Sequence, residues 1–278
     1  GAVARGRAGS YRSSTMTVAP GGRMASADKY QGGRITWRKD YGPDLWSVRI
    51  APDSPVSFEP GQYATLGVED GSKVIERAYS VVSSPRESEL EFFFELVPQG
   101  QLTPRLYALG PGDRVLLRHR AKGAFKLDRA NEHKDHFFVT TVTGIAPVVS
   151  IVRTLRKEPA PGVRLVVLQA ASRSHELGYQ QELEVAEKES RGWLRYVPLV
   201  SRPWEDPGWK GEVGRAEDVM RKHLDASGFD PGTTAVYLCG HPMMIENGKG
   251  ILLRRGFDRE DIHVEVYWMP KKEKAAGP

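Results

Sequence analysis

The sequence predicts a two-domain β + α/β protein: a small antiparallel β-barrel followed by a five-stranded parallel sheet with helices. Three observations predict it. Through the first half, apolar and polar residues alternate at period two in short runs. Through the second half, apolar strand-like runs alternate with stretches of helical spacing, as βαβ units require. Proline, glycine and aspartate clusters separate the early runs at the spacing of small barrels. The expected boundaries are a flexible basic arm over 1–28, a barrel domain over 29–130, an α/β domain over 131–268 and a basic tail over 269–278.

The arm carries Arg5, Arg7, Arg12 and Arg23 and no acidic residue before Asp28. It holds too little apolar surface to offset its ordering entropy. Met16 and Met24 are internal candidate starts, and the composition also suits a transit peptide. Strands are expected over 45–50, 63–68, 90–97 and 114–118, with one short helix over 102–109. Turn signals divide them at Pro43, Pro60-Gly61, Asp70-Gly71 and Pro111-Gly112-Asp113. A strand over 136–141 then leads into a helix over 147–157. The pair repeats as 164–170 with 176–189, as 194–199 with 216–226, and as 235–239 with 242–255. A last strand spans 262–268. Crossovers of this kind are right-handed, and ligands bind beyond the carboxyl ends of the strands. Binding residues are therefore expected in the loops after Thr141, Ala170, Leu199 and Cys239.

Composition narrows the function. The chain has 278 residues, 40 % of them hydrophobic and 27 % charged, which is the balance of a globular protein. No apolar run approaches the ~20 residues of a membrane span. The single cysteine, Cys239, excludes an intrachain disulfide and an all-cysteine iron–sulfur cluster, and it suits a reducing, cytoplasmic setting. A net charge of +5 is modest for nucleic-acid binding and fits docking of an acidic protein equally well. There is no metal-spaced His/Cys cluster, no Walker-type loop and no Gly-x-Ser-x-Gly elbow.

Five stretches carry candidate chemistry. Arg77-Ala78-Tyr79-Ser80 sets a fixed cation, a flat ring and a hydroxyl within four residues. In a strand, Arg77 and Tyr79 face one side while Ala78 and Ser80 face the other. Arginine pairs a phosphate through two parallel bonds, tyrosine lies against a planar heterocycle, and serine bonds a ring nitrogen. Alone, the run also suits an ordinary strand with polar surface residues. Thr141-Val142-Thr143-Gly144-Ile145-Ala146-Pro147 is a small-residue turn opening a helix, able to bring backbone N–H groups to a diphosphate or simply to join two elements. Arg173, Arg202 and Arg215 lie at the binding edge. Convergent there, they suit a phosphomonoester and would favour NADPH over NADH by on the order of 100-fold. Cys239-Gly240-His241-Pro242-Met243 ends a strand; the cysteine reads as a small buried hydrophobe, and the turn would keep backbone close to a ligand. Tyr267-Trp268 closes the last strand, as packing or as cover for a flavin.

Together with Gly100-Gln101-Leu102-Thr103 and Val264-Glu265-Val266-Tyr267-Trp268, these motifs resemble ferredoxin–NADP(+) reductase in its bacterial form, over roughly residues 30–268. The resemblance implies an FAD-binding barrel followed by a Rossmann-like NADP(H)-binding domain. It implies FAD contacts from Arg77, Ala78, Tyr79, Ser80, Phe93, Gln101, Leu102, Thr103, Thr143, Tyr267 and Trp268. By the same likeness Arg173, Ser201, Arg202 and Arg215 hold the 2′-phosphate end of NADP(H). His241, Pro242 and Met243 line its path to the flavin. Ser80, Cys239 and Tyr267 stand where the reaction occurs, with Tyr267 covering the flavin face that the nicotinamide must reach. The implied activity is hydride transfer between NADP(H) and FAD, followed by single-electron exchange with a ferredoxin or flavodoxin, in a monomer. Arg86, Arg105, Arg118, Arg120 and Lys122 are expected to steer this acidic carrier. A reductase for a haem protein or oxygenase component, a flavin-bound sensor and a basic nucleic-acid binder are the other readings. Two departures from the family stand out: Val142 replaces the usual Gly, and residues 269–278 extend past Trp268.

Overall fold

The computed structural model describes residues 29–127 and 133–267. The arm, Trp268 and the tail lie outside these. Two sheets form the molecule. The first comprises β1 (Tyr30–Asp40), β2 (Leu45–Pro52), β3 (Tyr63–Asp70), β4 (Lys73–Ser80), β5 (Leu90–Glu95) and β6 (Arg114–Arg118), with α1 (Thr103–Tyr107) between the last two. Its order is β4-β3-β6-β1-β2-β5 and its pairings are antiparallel. A bridge from Val81 to Phe92 brings the two edges together, so the sheet closes as the sequence predicts. The closed interior holds Trp46, Ile50, Leu66, Phe92, Phe94 and Leu117.

The second sheet comprises β7 (Asp135–Thr141), β8 (Arg164–Ala171), β9 (Leu194–Val200), β10 (Glu212–Val213), β11 (Thr234–Gly240) and β12 (Ile262–Val266). All pairings are parallel, in the order β10-β9-β8-β7-β11-β12. Helices α2 (Ala146–Lys157), α3 (Gln180–Glu189), α4 (Ala216–Ser227) and α5 (Pro242–Arg254) cover its faces. The sheet has six strands where five were expected, because β10 has only two residues and shows no periodicity. Helix α3 starts later than expected. Residues Ser174–Glu176 form a 3-10 turn, and Tyr179 takes a left-handed φ of 65° that interrupts any helix before Gln180. The order reverses between β7 and β11, where α/β sheets open a crevice for ligands.

The two sheets meet through a buried polar cluster. Arg153 of α2 donates to both oxygens of Glu182 on α3, at 2.7 and 2.9 Å, and to Glu91 of β5 at 3.0 Å. Glu91 is 1 % exposed and also accepts from Tyr179 at 2.8 Å and from Arg49 at 3.0 Å. The Tyr179 hydroxyl lies 2.5 Å from Ser47 of β2. Ser150 and Thr154, one and two turns along the same helix face, bond Ser83 and Ser84 beyond β4. Burial pushes the Glu91 carboxyl up, but the Arg153 charge and the bonds from Arg153, Tyr179 and Arg49 outweigh it and hold the group below the usual carboxylate range.

Glu91 has a lowered folded pKa, so its contribution is complete above the ordinary carboxylate range and is lost as pH falls through the folded value. Removing its partner leaves a buried charge, which costs about 3–5 kcal/mol. Arg153→Met is expected to lower the urea midpoint by a corresponding amount at neutral pH. The deficit should shrink on acidification, once a protonated Glu91 needs no partner. Urea titrations at several pH values check this, and a deficit independent of pH would contradict it.

Candidate functional site

The crevice at the strand-order reversal is walled by the turns after β7 and β11. Gly240 has φ 125°, and a Cβ there would lie 2.1 Å from the Thr141 hydroxyl. That hydroxyl accepts the His241 N–H at 2.8 Å. A Cβ on Gly144 would lie 2.4 Å from the Cys239 carbonyl. Both positions therefore need glycine, and the two turns touch backbone to backbone. Val142, where the resemblance led us to expect glycine, takes φ 43°. A β-branched residue in this region is a strained outlier costing roughly 1–2 kcal/mol. The turn thus keeps a glycine-type geometry without a glycine. Thr143 lies partly exposed beside it. His241 caps α5, its Nδ1 accepting from Met243 N–H at 3.1 Å; Pro242 follows as the first helical residue, and Met243 is 61 % exposed.

Across from these turns stands the end of β4. Ser80 is buried, and its hydroxyl donates to Glu265 Oε1 and accepts from Tyr267 at 2.6 Å, a contact spanning 187 residues of sequence. Cys239 pairs directly with Glu265 in the β11–β12 register. Strand alternation puts Glu265 and Tyr267 on one face, which is why both reach Ser80. Burial pushes the Cys239 thiol well up, and the Glu265 charge adds to this. Burial likewise raises Glu265, partly offset by the bonds from Ser80 and Tyr267. The Tyr267 phenol is raised well above its usual range by burial, with Cys239 and Glu265 adding to it. The residue as a whole is 38 % exposed, while its hydroxyl is turned inward to Ser80. The structure therefore brings Ser80, Cys239 and Tyr267 together and adds Glu265. In the sequence that residue stood inside the Val264–Trp268 stretch without a role of its own.

On the barrel side, Arg77 and Ala78 are exposed. Tyr79 sits edge-on to Phe94, with ring centroids 4.8 Å apart. Burial pushes its phenol up to about 12 against the pull of the Arg77 charge. Gln101 is exposed and Leu102 is buried in the barrel core. In α1, Pro104 has no N–H, and the Arg105 and Leu106 N–H groups both bond the Leu102 carbonyl at 3.0 Å. One expectation needs correction. Phe93 does not face the crevice: adjacent strand residues point to opposite sides, and its ring packs on Tyr41 and Tyr179 between the sheets, while Phe94 meets Tyr79. The Thr103 hydroxyl turns inward, accepting from Val97 N–H at 3.0 Å, so only the backbone there can face a ligand.

Farther along the edge, Ser201 and Arg202 donate their N–H groups to the Ala171 and Ser172 carbonyls, both at 3.0 Å, which brings Arg202 beside Arg173. Glu205, on the 3-10 turn Pro203–Glu205, pairs with both arginines. Arg215 precedes α4 and lines a cleft of about 630 Å³ with Ser201, Arg202, Trp204 and Glu205. Glu205 and Trp204 carried no motif in the sequence. Three of the five basic residues expected to steer a carrier are engaged with carboxylates: Arg86 with Glu158, Arg105 with Asp70 and Arg118 with Glu76. Arg120 and Lys122 are exposed. Among the described residues, no helix is long and apolar enough to cross a membrane, and no group of three His, Cys, Asp or Glu could hold a metal.

Comparison with known proteins agrees with this architecture. Residues 138–249 match the oxidoreductase NAD-binding domain family. The flavodoxin/ferredoxin–NADP reductase of Escherichia coli (strain K12) is 33 % identical over 222 residues, covering 77 % of this chain and 86 % of that protein. A ferredoxin NADP+ reductase from Neisseria gonorrhoeae, solved with bound FAD and NADP, superposes with a TM-score of 0.74 at 26 % identity, covering 86 % of this chain and 99 % of that one. The xylene/toluene monooxygenase electron transfer component of Pseudomonas putida is 27 % identical, covering 84 % of this chain and 64 % of that protein.

A buried, neutral thiol is a poor nucleophile. Cys239 should therefore resist alkylation by iodoacetamide in the native protein and react fully after denaturation. Mass spectrometry of the labelled protein checks this. Rapid native labelling would show that the thiol is open to solvent.

Proposed function

Because the chain belongs to the flavodoxin/ferredoxin–NADP reductase family, we propose that it passes electrons between NADP(H) and a ferredoxin or flavodoxin through bound FAD. At a coarser level it is an NAD(P)H–flavin oxidoreductase of this family. Residues 29–130 form the FAD-binding part in this reading, and residues 131–268 form the NADP(H)-binding part. The observation that carries it is the Tyr267–Ser80 hydrogen bond of 2.6 Å. It joins the barrel edge read as a flavin wall to the sheet edge read as a nicotinamide path. A cytoplasmic location goes with this reading.

The residues present fit a flavin. An exposed cation, Arg77, a half-buried ring, Tyr79, and a hydroxyl, Ser80, follow one another along β4. Arg77 would pair the pyrophosphate, and the backbone over Gln101, Leu102 and Thr103 would wrap it. Tyr79 would offer its ring to the isoalloxazine, with Phe94 fixing its tilt. Bound FAD supplies the conversion between two-electron hydride chemistry and single-electron exchange that side chains lack. The chain's own residues prepare the surroundings. Ser80 Oγ holds a proton directed at Glu265 Oε1, and Tyr267 directs its own proton at Ser80. Burial raises the Glu265 carboxyl above the usual carboxylate range, which favours its holding a proton at the end of this chain of hydroxyls. Cys239 stays neutral and lines a dry wall. The Tyr267 ring would cover the flavin face. A stack worth ~0.5–1.5 kcal/mol is displaced at little cost, so the ring acts as a gate. Arg173, Ser201, Arg202 and Arg215 would hold the 2′-phosphate end, and His241, Pro242 and Met243 would line the path inward.

A second reading, an NAD(P)H reductase serving an oxygenase or haem acceptor, is favoured by the likeness to the Pseudomonas putida electron transfer component. Steady-state assays with NADPH and each acceptor in turn separate the two. Ferredoxin or flavodoxin should give a kcat/KM at least about tenfold above a haem protein. The reverse order would favour the second reading, and no turnover with any acceptor would favour a flavin-bound sensor.

A further inference from the structure

Two arginines that bind a phosphate repel each other until something neutralises them. Here an internal anion does so. Glu205 Oε2 pairs with Arg173, and its Oε1 lies 3.5 Å from Arg202. One carboxylate therefore bridges the two guanidinium groups proposed to take the 2′-phosphate. Glu176 also pairs with the Arg173 guanidinium, at 3.1 Å, but its other oxygen accepts the N–H groups of Ser172 and Arg173, at 2.8 and 3.1 Å, and so fixes the loop. Glu205 has no such backbone duty in the hydrogen bonds found around it. It sits on a short turn whose ends are held by Asp206, which accepts the Ser174 N–H at 3.0 Å, and by the Glu205 N–H donated to the Arg202 carbonyl at 3.0 Å. The turn is pinned while the carboxylate is held only by the two arginines. Trp204, 72 % exposed on the same turn, borders the cleft with a flat face of the kind a purine stacks on.

We propose that Glu205 is a specificity-determining residue: an internal counter-ion that occupies the two-arginine subsite and competes with the phosphomonoester of an incoming 2′-phosphorylated adenine nucleotide. This rests on the reading of Arg173 and Arg202 given above. A phosphomonoester carries about −1.5 to −2 charge at neutral pH and three acceptor oxygens, so it pairs with both guanidiniums more fully than the single Glu205 carboxylate does. Binding then requires the Glu205 side chain to turn away. A nucleotide without the phosphate leaves the carboxylate in place, where it can accept a ribose hydroxyl. Glu205 thus lowers the preference for the phosphorylated nucleotide below what the arginines alone would set.

Calorimetric titration of the holoprotein with 2′,5′-ADP and with 5′-AMP tests this, using wild type, Glu205→Gln and Arg202→Ala. Glu205 lies on an exposed turn, and circular dichroism confirms folding of each variant. Glu205→Gln should bind 2′,5′-ADP roughly five- to tenfold more tightly, with 5′-AMP unchanged or weakened. Arg202→Ala should weaken 2′,5′-ADP selectively. If Arg202→Ala behaves so but Glu205→Gln leaves the ratio of the two affinities unchanged, the counter-ion role is overturned alone. If neither variant alters the ratio, the arginines are not a 2′-phosphate site and both readings fall together.

Discussion

The site depends on the buried pairing of Arg153 with Glu91. Ser80 ends a barrel strand, while Cys239, Glu265 and Tyr267 end strands of the parallel sheet. These groups can meet only if the two sheets dock in one register. An apolar junction alone tolerates sliding. A buried ion pair does not, because displacement by even a few ångströms strands a charge in a dry interior. Such a pair adds little net stability over a well-packed apolar substitute. Its effect is to make the alternatives costly. Tyr179 extends the constraint by linking Glu91 to Ser47 of β2, and Ser150 and Thr154 tie the same helix to the segment that leaves Ser80.

From that junction, the electrostatics of the two ends of the crevice diverge. Near Ser80 the environment is dry, and burial raises the thiol, the carboxyl and the phenol together, so neutral forms are favoured. Near Arg173 and Arg202 it is wet and charged, and a resident carboxylate holds the guanidinium groups. A dinucleotide laid along this edge would have its charged end over arginines and its flat ring in the dry part. The strained Val142 backbone follows β7, in the turn that touches the turn after β11.

Much of the fold was legible because periodicity reports burial. The period-two runs became β2, β3, β5 and β6, and the alternation after His133 became β7, β8, β9, β11 and β12 with four helices. What escaped has physical causes. Strand β10 is too short to show a period. Helix α3 begins late because Tyr179 adopts a left-handed conformation that leaves no trace in composition. The site was legible where it is built from local runs, as at Arg77 to Ser80. It was illegible where geometry depends on which face a residue takes: Phe93 packs between the sheets while Phe94 meets Tyr79. Glu265 and Glu205 were missed because a single carboxylate acquires meaning only from the partner that folding brings to it.

The reading as a whole requires that the crevice hold a flavin within reach of a nicotinamide. The visible absorption spectrum of the purified protein, recorded anaerobically before and after NADPH, tests this most directly. A yellow protein whose flavin bands bleach on adding NADPH is the expected result. A colourless protein that takes up no added FAD, or a flavin band indifferent to NADPH, would contradict it.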